Sequence, residues 1–201
     1  MKTHLRTMVA GAAVLGLGLA FLVTGGRTQA DDATNIRDAV QNAAKALASG
    51  DNAGAEKIAT DLAKSVEQLE DVMNMMSKRT PSGKGGLGVG KPGEITPDGI
   101  EAKIQNLSKK PLPAQQLDKE SDALIEMAFR VEAISEVAKA KAPEKDEGAK
   151  KKKDYLEWAG DMKKAAQELS EAAKAKDPKR VKTAAASLNN ACNNCHGVFR
   201  D

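Results

Sequence analysis

The sequence predicts an all-α protein: an antiparallel four-helix bundle with an extra N-terminal helix and a Gly-rich loop between helices. Three observations lead there. The chain of 201 residues is rich in Ala, Lys and Glu, which favour helix, and only 2% of it is aromatic. Apolar residues recur at intervals of three and four along most of its length. No run alternates apolar and polar residues as a half-buried strand would.

The first thirty residues read as a segment removed on export. Lys2, His4 and Arg6 give a basic start, Met8 to Val23 is almost wholly apolar, and small residues precede a cut after Ala30. The other reading is an uncleaved membrane anchor, although an apolar run of about 16 residues falls short of the ~20 that a spanning helix needs. No cysteine stands near the cut, which argues against a lipoprotein. The expected division is residues 1–30 as signal peptide and 31–201 as one helical domain, placed in the periplasm. The chain carries 31 Lys and Arg against 28 Asp and Glu. Lys2, Arg6 and Arg27 leave with the first segment, so the remainder has no net charge. The basic isoelectric point of the whole sequence therefore gives no reason to expect nucleic acid as a partner.

The helices follow in order. The first covers about Asn35 to Ala48, with Ile36, Val40, Ala43 and Leu47 on one face, and Gly50 ends it. The second covers about Ala53 to Lys78, capped by Asp51 or Asn52. Its stripe includes Leu62, Val66, Leu69, Met73 and Met76, with Met75 off the stripe. Residues 79–96 read as a flexible loop containing Gly85-Gly86-Leu87-Gly88-Val89-Gly90. This run lacks the Lys-Ser/Thr of a phosphate loop and follows a helix rather than a strand, so it is not a nucleotide site. Thr96-Pro97 looks like a helix start, with a short helix reaching Leu107. A long helix is expected over Ala114 to Lys141, another over Glu147 to Lys176, and a last one from Asp177-Pro178. The last helix repeats Val181, Ala185, Leu188, Cys192, Cys195 and Phe199 on one face. Short connections make these neighbours antiparallel. The long connection over 79–113 leaves the direction of the second helix open.

The chemistry concentrates at Cys192-Asn193-Asn194-Cys195-His196, the C-x-x-C-H pattern of covalent haem attachment. Two thiols at this spacing reach the two vinyl groups of one haem c, and the following imidazole reaches its iron as an axial ligand. A redox dithiol needs a strand-to-helix junction that is not visible here. A structural zinc needs four N/S ligands, and the chain beyond residue 30 offers three. A plain disulfide leaves the histidine without a role.

From Trp158 to Arg200, the Trp158, Met162, Ala165-Ala166, Leu169 and Ala172-Ala173 series runs into Leu188, Cys192, Cys195, His196, Phe199 and Arg200. This stretch resembles the class II c-type cytochromes, the cytochrome c′ family, in which the haem motif lies at the far end of a four-helix bundle. The resemblance is close over about the last 50 residues, covers 114–141 in helical pattern only, and departs at the extra helix and the Gly-rich insertion. It implies one covalent haem c.

The other histidine, His4, lies in the first segment, so a second histidine ligand from the mature chain is excluded. The options for the sixth position are methionine, a vacant site, or an unusual Lys or Tyr. Met73 and Met76 are the methionine candidates, although simple up-down alternation puts them at the opposite end from the motif unless residues 79–113 cross the bundle. Two functions follow. One is a non-enzymatic one-electron carrier that meets redox partner proteins, with Lys150 to Lys153 as a docking face. The other is a five-coordinate haem protein that binds nitric oxide or carbon monoxide, as the resemblance suggests. A homodimer is compatible with either, and membrane contact arises only through the first segment if it is retained. Tyr155 and Trp158 are expected near the haem end, and Arg200 near a haem propionate or in solvent.

Overall fold

The structure, a computed structural model, describes residues 29–80 and 85–200. The expected signal segment and its cut lie outside the described residues, apart from the backbone at the very end of that segment. Among the described residues no strand forms, and no helix is long and apolar enough to cross a membrane.

Among the described residues, six α-helices of ten or more residues and one short helical turn form the frame. We label them α1 (Gln29–Ala48), α2 (Asn52–Ser65), α3 (Leu69–Met73, one short turn), α4 (Ile100–Lys109), α5 (Ala114–Ala140), α6 (Lys152–Lys174) and α7 (Pro178–Phe199). Local chemistry explains the clearest ends. Asp51 caps α2 by accepting from the Gly54 amide at 2.9 Å. Asp177 caps α7 by accepting from the amides of Lys179 and Arg180, and Pro178 occupies the first turn, where its missing N–H costs nothing.

The centre of the molecule is α5. It packs against α1 and α2 on one side and α6 on the other, while α6 packs on α7 and α7 on α4. Surrounded in this way, α5 buries more than an apolar stripe: Arg130, Glu132, Ser135 and Glu136 are buried with Leu124, Met127, Val131 and Ile134. Each of these polar groups has a partner, as burial demands. Arg130 donates to the Gly88 carbonyl, Gln167 to Glu132, Lys163 to Glu136, and Ser135 to the Glu132 carbonyl. Lys103 of α4 is 1% exposed, and its ammonium sits 2.6 Å from Glu120 of α5.

The second helical stretch differs from the sequence expectation. It does not run unbroken from 53 to 78. Val66 is extended, α2 ends at Ser65, and the chain restarts as α3 followed by a 3₁₀ turn over Asn74–Met76. The break shifts the phase of the stripe. Met75, expected off the core, is buried with Met76, while Met73 is only partly buried against the core. Helix α6 begins at Lys152 rather than Glu147, because residues 142–151 form turns closed by the Glu147–Lys150 backbone pair. Thr96-Pro97 does not open a helix; α4 starts at Ile100, with Gly99 as its cap.

The direction left open by the sequence is also fixed. The Lys141 ammonium, at the end of α5, donates to the carbonyls of Val66 (2.6 Å) and Glu67 (3.2 Å), just past the end of α2. The C-terminal ends of α2 and α5 therefore meet. The connection to the start of α5 must therefore return along the bundle, and α4 is part of that return.

The Gly-rich segment is built rather than slack. Leu87 and Val89 are buried, and Arg79 threads the loop, donating to the carbonyls of Leu87 and Gly90. Asp98 accepts from the Val89 amide and pairs with Arg79 at 3.3 Å. Gly88 has φ +71, and a side-chain carbon there would meet the Arg79 guanidinium at 2.0 Å, so glycine is required both for the backbone and for the space.

Candidate functional site

The end of α7 is where the expected site residues gather. Cys192 and Cys195 are three apart on one helix, so they share a face, and both are half-buried free thiols. Cys192 packs against the hydrophobic core, while Asn193 and Asn194 between them are exposed. His196 is half-buried in the following position. The motif thus sits at the edge of the bundle, partly in the core and partly in solvent.

The neighbours come from α6 and α4. Tyr155 lies edge-on to Phe199 with ring centroids 4.9 Å apart, and Trp158 does the same at 6.0 Å. These contacts place the start of α6 against the end of α7, as the antiparallel pairing predicts. Glu101, in the first turn of α4, acts electrostatically on both Cys192 and His196. Sequence reading missed this residue, because the expected helix start at Thr96-Pro97 gave α4 a different first turn. Arg200 is exposed and bears on His196.

The electrostatics separate the readings of the motif. Burial pushes the Cys192 thiol up to about 11, and the Glu101 carboxylate and Cys195 add to it. Burial also raises Cys195. A reactive C-x-x-C dithiol has a lowered thiol pKa and sits in a positive environment. This pair has neither property. Burial, followed by the Arg200 charge, holds His196 below its ordinary value, with Glu101 opposing. The imidazole is therefore neutral at pH 7, with a lone pair available to a metal. Among the described residues, no three His, Cys, Asp or Glu side chains converge as a metal chelate. The set therefore does not form a closed zinc site, and its donors fit attachment along the edge of a planar group.

A further observation bears on that fit. The Tyr155 hydroxyl is buried without a hydrogen-bond partner, in a residue 5% exposed. Burial raises its pKa strongly, and Cys195 adds to the effect. A buried hydroxyl left unpaired costs about 1–3 kcal/mol, so its presence beside the motif suits a group that brings an acceptor.

Met75 and Met76 are buried in the core cluster, at 3% and 6% exposure, and Met73 packs on its margin. Their segment reaches the motif's surroundings through the backbone: Lys78 pairs with Gly99, which caps α4 ahead of Glu101. Of the basic run, Lys151 to Lys153 are exposed at the start of α6, and Lys151 pairs with Asp146 at 3.5 Å.

The family model described as Cytochrome C′ matches residues 100–200, half of the chain, and the chain belongs to this family. The match spans α4 to α7, the four helices that carry the Cys192–His196 motif, Tyr155, Trp158 and Glu101. Membership implies a haem c protein. No curated protein and no solved structure matches the chain.

Proposed function

We propose that the protein is a periplasmic one-electron carrier without enzymatic activity, holding one haem c through thioether bonds from Cys192 and Cys195, with His196 as an axial ligand. The observation that carries this reading is the placement of the motif: two neutral thiols on one face of α7 and a neutral imidazole beside them, at the bundle edge. Cys192 and Cys195 would hold the group through thioether bonds, each thiol supplying its sulfur to one vinyl carbon and its hydrogen to the other. The haem supplies an iron that cycles between ferric and ferrous. The chain's part is to hold His196 neutral, to shield the inner side of the group with α6 and the core around Cys192, and to leave the Asn193–Asn194 edge exposed to redox partner proteins. The exposed lysines at the start of α6 suit a partner of acidic surface. Periplasmic placement is supported by family membership and by the export-like first thirty residues.

In this reading Met73 or Met76 is the sixth ligand, which would keep both iron states low-spin and raise the potential. The meeting of the C-terminal ends of α2 and α5, together with the Lys78–Gly99 pair, supports it by setting the end of the second helical stretch towards the start of α4. One observation favours the alternative, a five-coordinate iron that binds nitric oxide or carbon monoxide: Met75 and Met76 are already consumed in core packing.

Absorption spectra of the matured protein, oxidised and reduced, with and without carbon monoxide, test the choice. A low-spin spectrum indifferent to carbon monoxide supports the carrier. A high-spin spectrum that shifts with the gas overturns it in favour of gas binding.

A further inference from the structure

Tyr155 carries a donor that the folded chain leaves unused. Its hydroxyl is buried and bonds to nothing, in a side chain 5% exposed near the start of α6. Phe199 stands edge-on to the ring at 4.9 Å, and Trp158 closes on Phe199 at 6.0 Å. Phe199 lies one turn beyond Cys195 and His196, so the three share one flank of α7. Tyr155 packs on that flank, and Cys195 bears on its hydroxyl electrostatically.

A buried hydroxyl calls for a partner, because leaving it dry and unpaired destabilises the fold. The chain does not supply one. Glu101 of α4 and Arg200, just past the end of α7, are the charged groups that act on the motif, and both are exposed. Glu101 accepts from Gln105 instead. A haem held at Cys192 and Cys195 brings acceptor oxygens of its own, the carboxylates of its two propionates. An ionised carboxylate is a strong acceptor, and its bond to a hydroxyl is charge-assisted. The other acceptor oxygen that such a group can present belongs to a small molecule bound at the iron, on the face opposite His196. Tyr155 stands on the flank of α7 that carries His196, which favours the propionate.

We propose that Tyr155 donates its hydroxyl to a haem propionate and holds that carboxylate in its ionised form. The inference rests on haem attachment at Cys192 and Cys195. Tyr155 is then a positioning residue: it fixes one edge of the group and sets the charge beside it, and a nearby charge and its hydrogen bonds tune the iron's potential. The molecule supplies its own control. Ser170 has the other buried hydroxyl without a partner among the described residues, and it lies about 22 Å further along α6.

The test is the midpoint potential of the haem-loaded protein against pH, for the parent, Tyr155→Phe and Ser170→Ala. A donor to the ionised form lowers a carboxyl pKa, so its loss raises that pKa. The pH at which the potential begins to fall as pH rises should therefore move up by about one unit in Tyr155→Phe and stay in place in Ser170→Ala. A profile that does not move in loaded Tyr155→Phe overturns the proposal, even if Tm falls, because packing alone would lower Tm. A variant that changes only the C–O stretch of the carbon monoxide adduct also overturns it, since the acceptor is then at the iron. Tyr155 is the one tyrosine of the chain. If Tyr155→Phe does not load haem, the tyrosine doublet in ultraviolet resonance Raman spectra of the loaded parent decides: the intensity ratio of a hydrogen-bond donor supports the proposal, and that of an unbonded hydroxyl overturns it. A parent that leaves maturation without haem fails the attachment reading and this inference together, whereas a loaded parent with an unmoved profile in Tyr155→Phe fails the inference alone.

Discussion

Replacing Lys103 by methionine isolates the buried ion pair that fastens α4 to α5. The Lys103 ammonium is 2.6 Å from Glu120 Oε2, in a side chain 1% exposed, and Gln116 donates to the other carboxylate oxygen at 2.8 Å. Methionine keeps most of the apolar stem and removes the charge. Glu120 is then left buried as an anion with one neutral donor. Removing one partner of a buried pair costs about 3–5 kcal/mol, because the remaining charge is uncompensated. For a chain of this size, 1 kcal/mol corresponds to about 2–4 °C, so the melting temperature should fall by about 6–20 °C. The double variant Lys103→Met/Glu120→Leu removes both charges and should recover to within about 1 kcal/mol of the parent. Urea unfolding followed by helix signal, with melting as a second probe, measures both. A single variant that loses less than about 1 kcal/mol, or a double variant that loses the sum of the two singles, would refute the coupling. Because α4 also carries Glu101, the single variant should disturb the haem motif as well.

Three other outcomes are expected. Gly88→Ala forces an L-residue to φ +71 and drives a methyl into Arg79, which should cost about 2–4 kcal/mol in urea unfolding from strain and displaced hydrogen bonds together. Tyr155→Phe in haem-free protein removes an unpaired buried hydroxyl, so stability should stay level or rise by about 1 kcal/mol; a clear loss on melting would mean that the hydroxyl has a partner there. Glu132 is buried, and burial raises its pKa despite the bond from Gln167. A raised folded pKa favours the protonated fold, so this contribution is present in full below the ordinary glutamate value and is lost as pH rises through the folded one. Glu132→Gln should therefore exceed the parent in urea midpoint at pH 7, and the gap should close towards about pH 4.

The sequence made the site more legible than the front of the fold. Helices α5 and α7 fall within about a residue of their expected limits, because proline, aspartate and long apolar periods mark them locally. The C-x-x-C-H pattern is local too, and its three residues needed no tertiary information to find. The break at Val66 was not legible, since Leu62, Val66 and Leu69 keep helical spacing across it. What stabilises that break is the Lys141 ammonium on the Val66 carbonyl, a contact between residues 75 apart in sequence. The loop follows the same logic. Its glycines suggested slackness, but Arg79 and Asp98 supply the bonds that order it, and only the folded chain brings them together. Glu101 comes within electrostatic reach of His196 through the start of α4, where Gly99 pairs with Lys78 and no side chain caps the helix.

The central claim is that Cys192 and Cys195 hold one haem. The most direct measurement is the intact mass of the denatured protein after expression with haem-maturation machinery, beside that of Cys192→Ser/Cys195→Ser. The account predicts that the parent carries the mass of one haem through denaturation and that the double variant carries none. A parent with the bare polypeptide mass, or a double variant that retains the group, would contradict it.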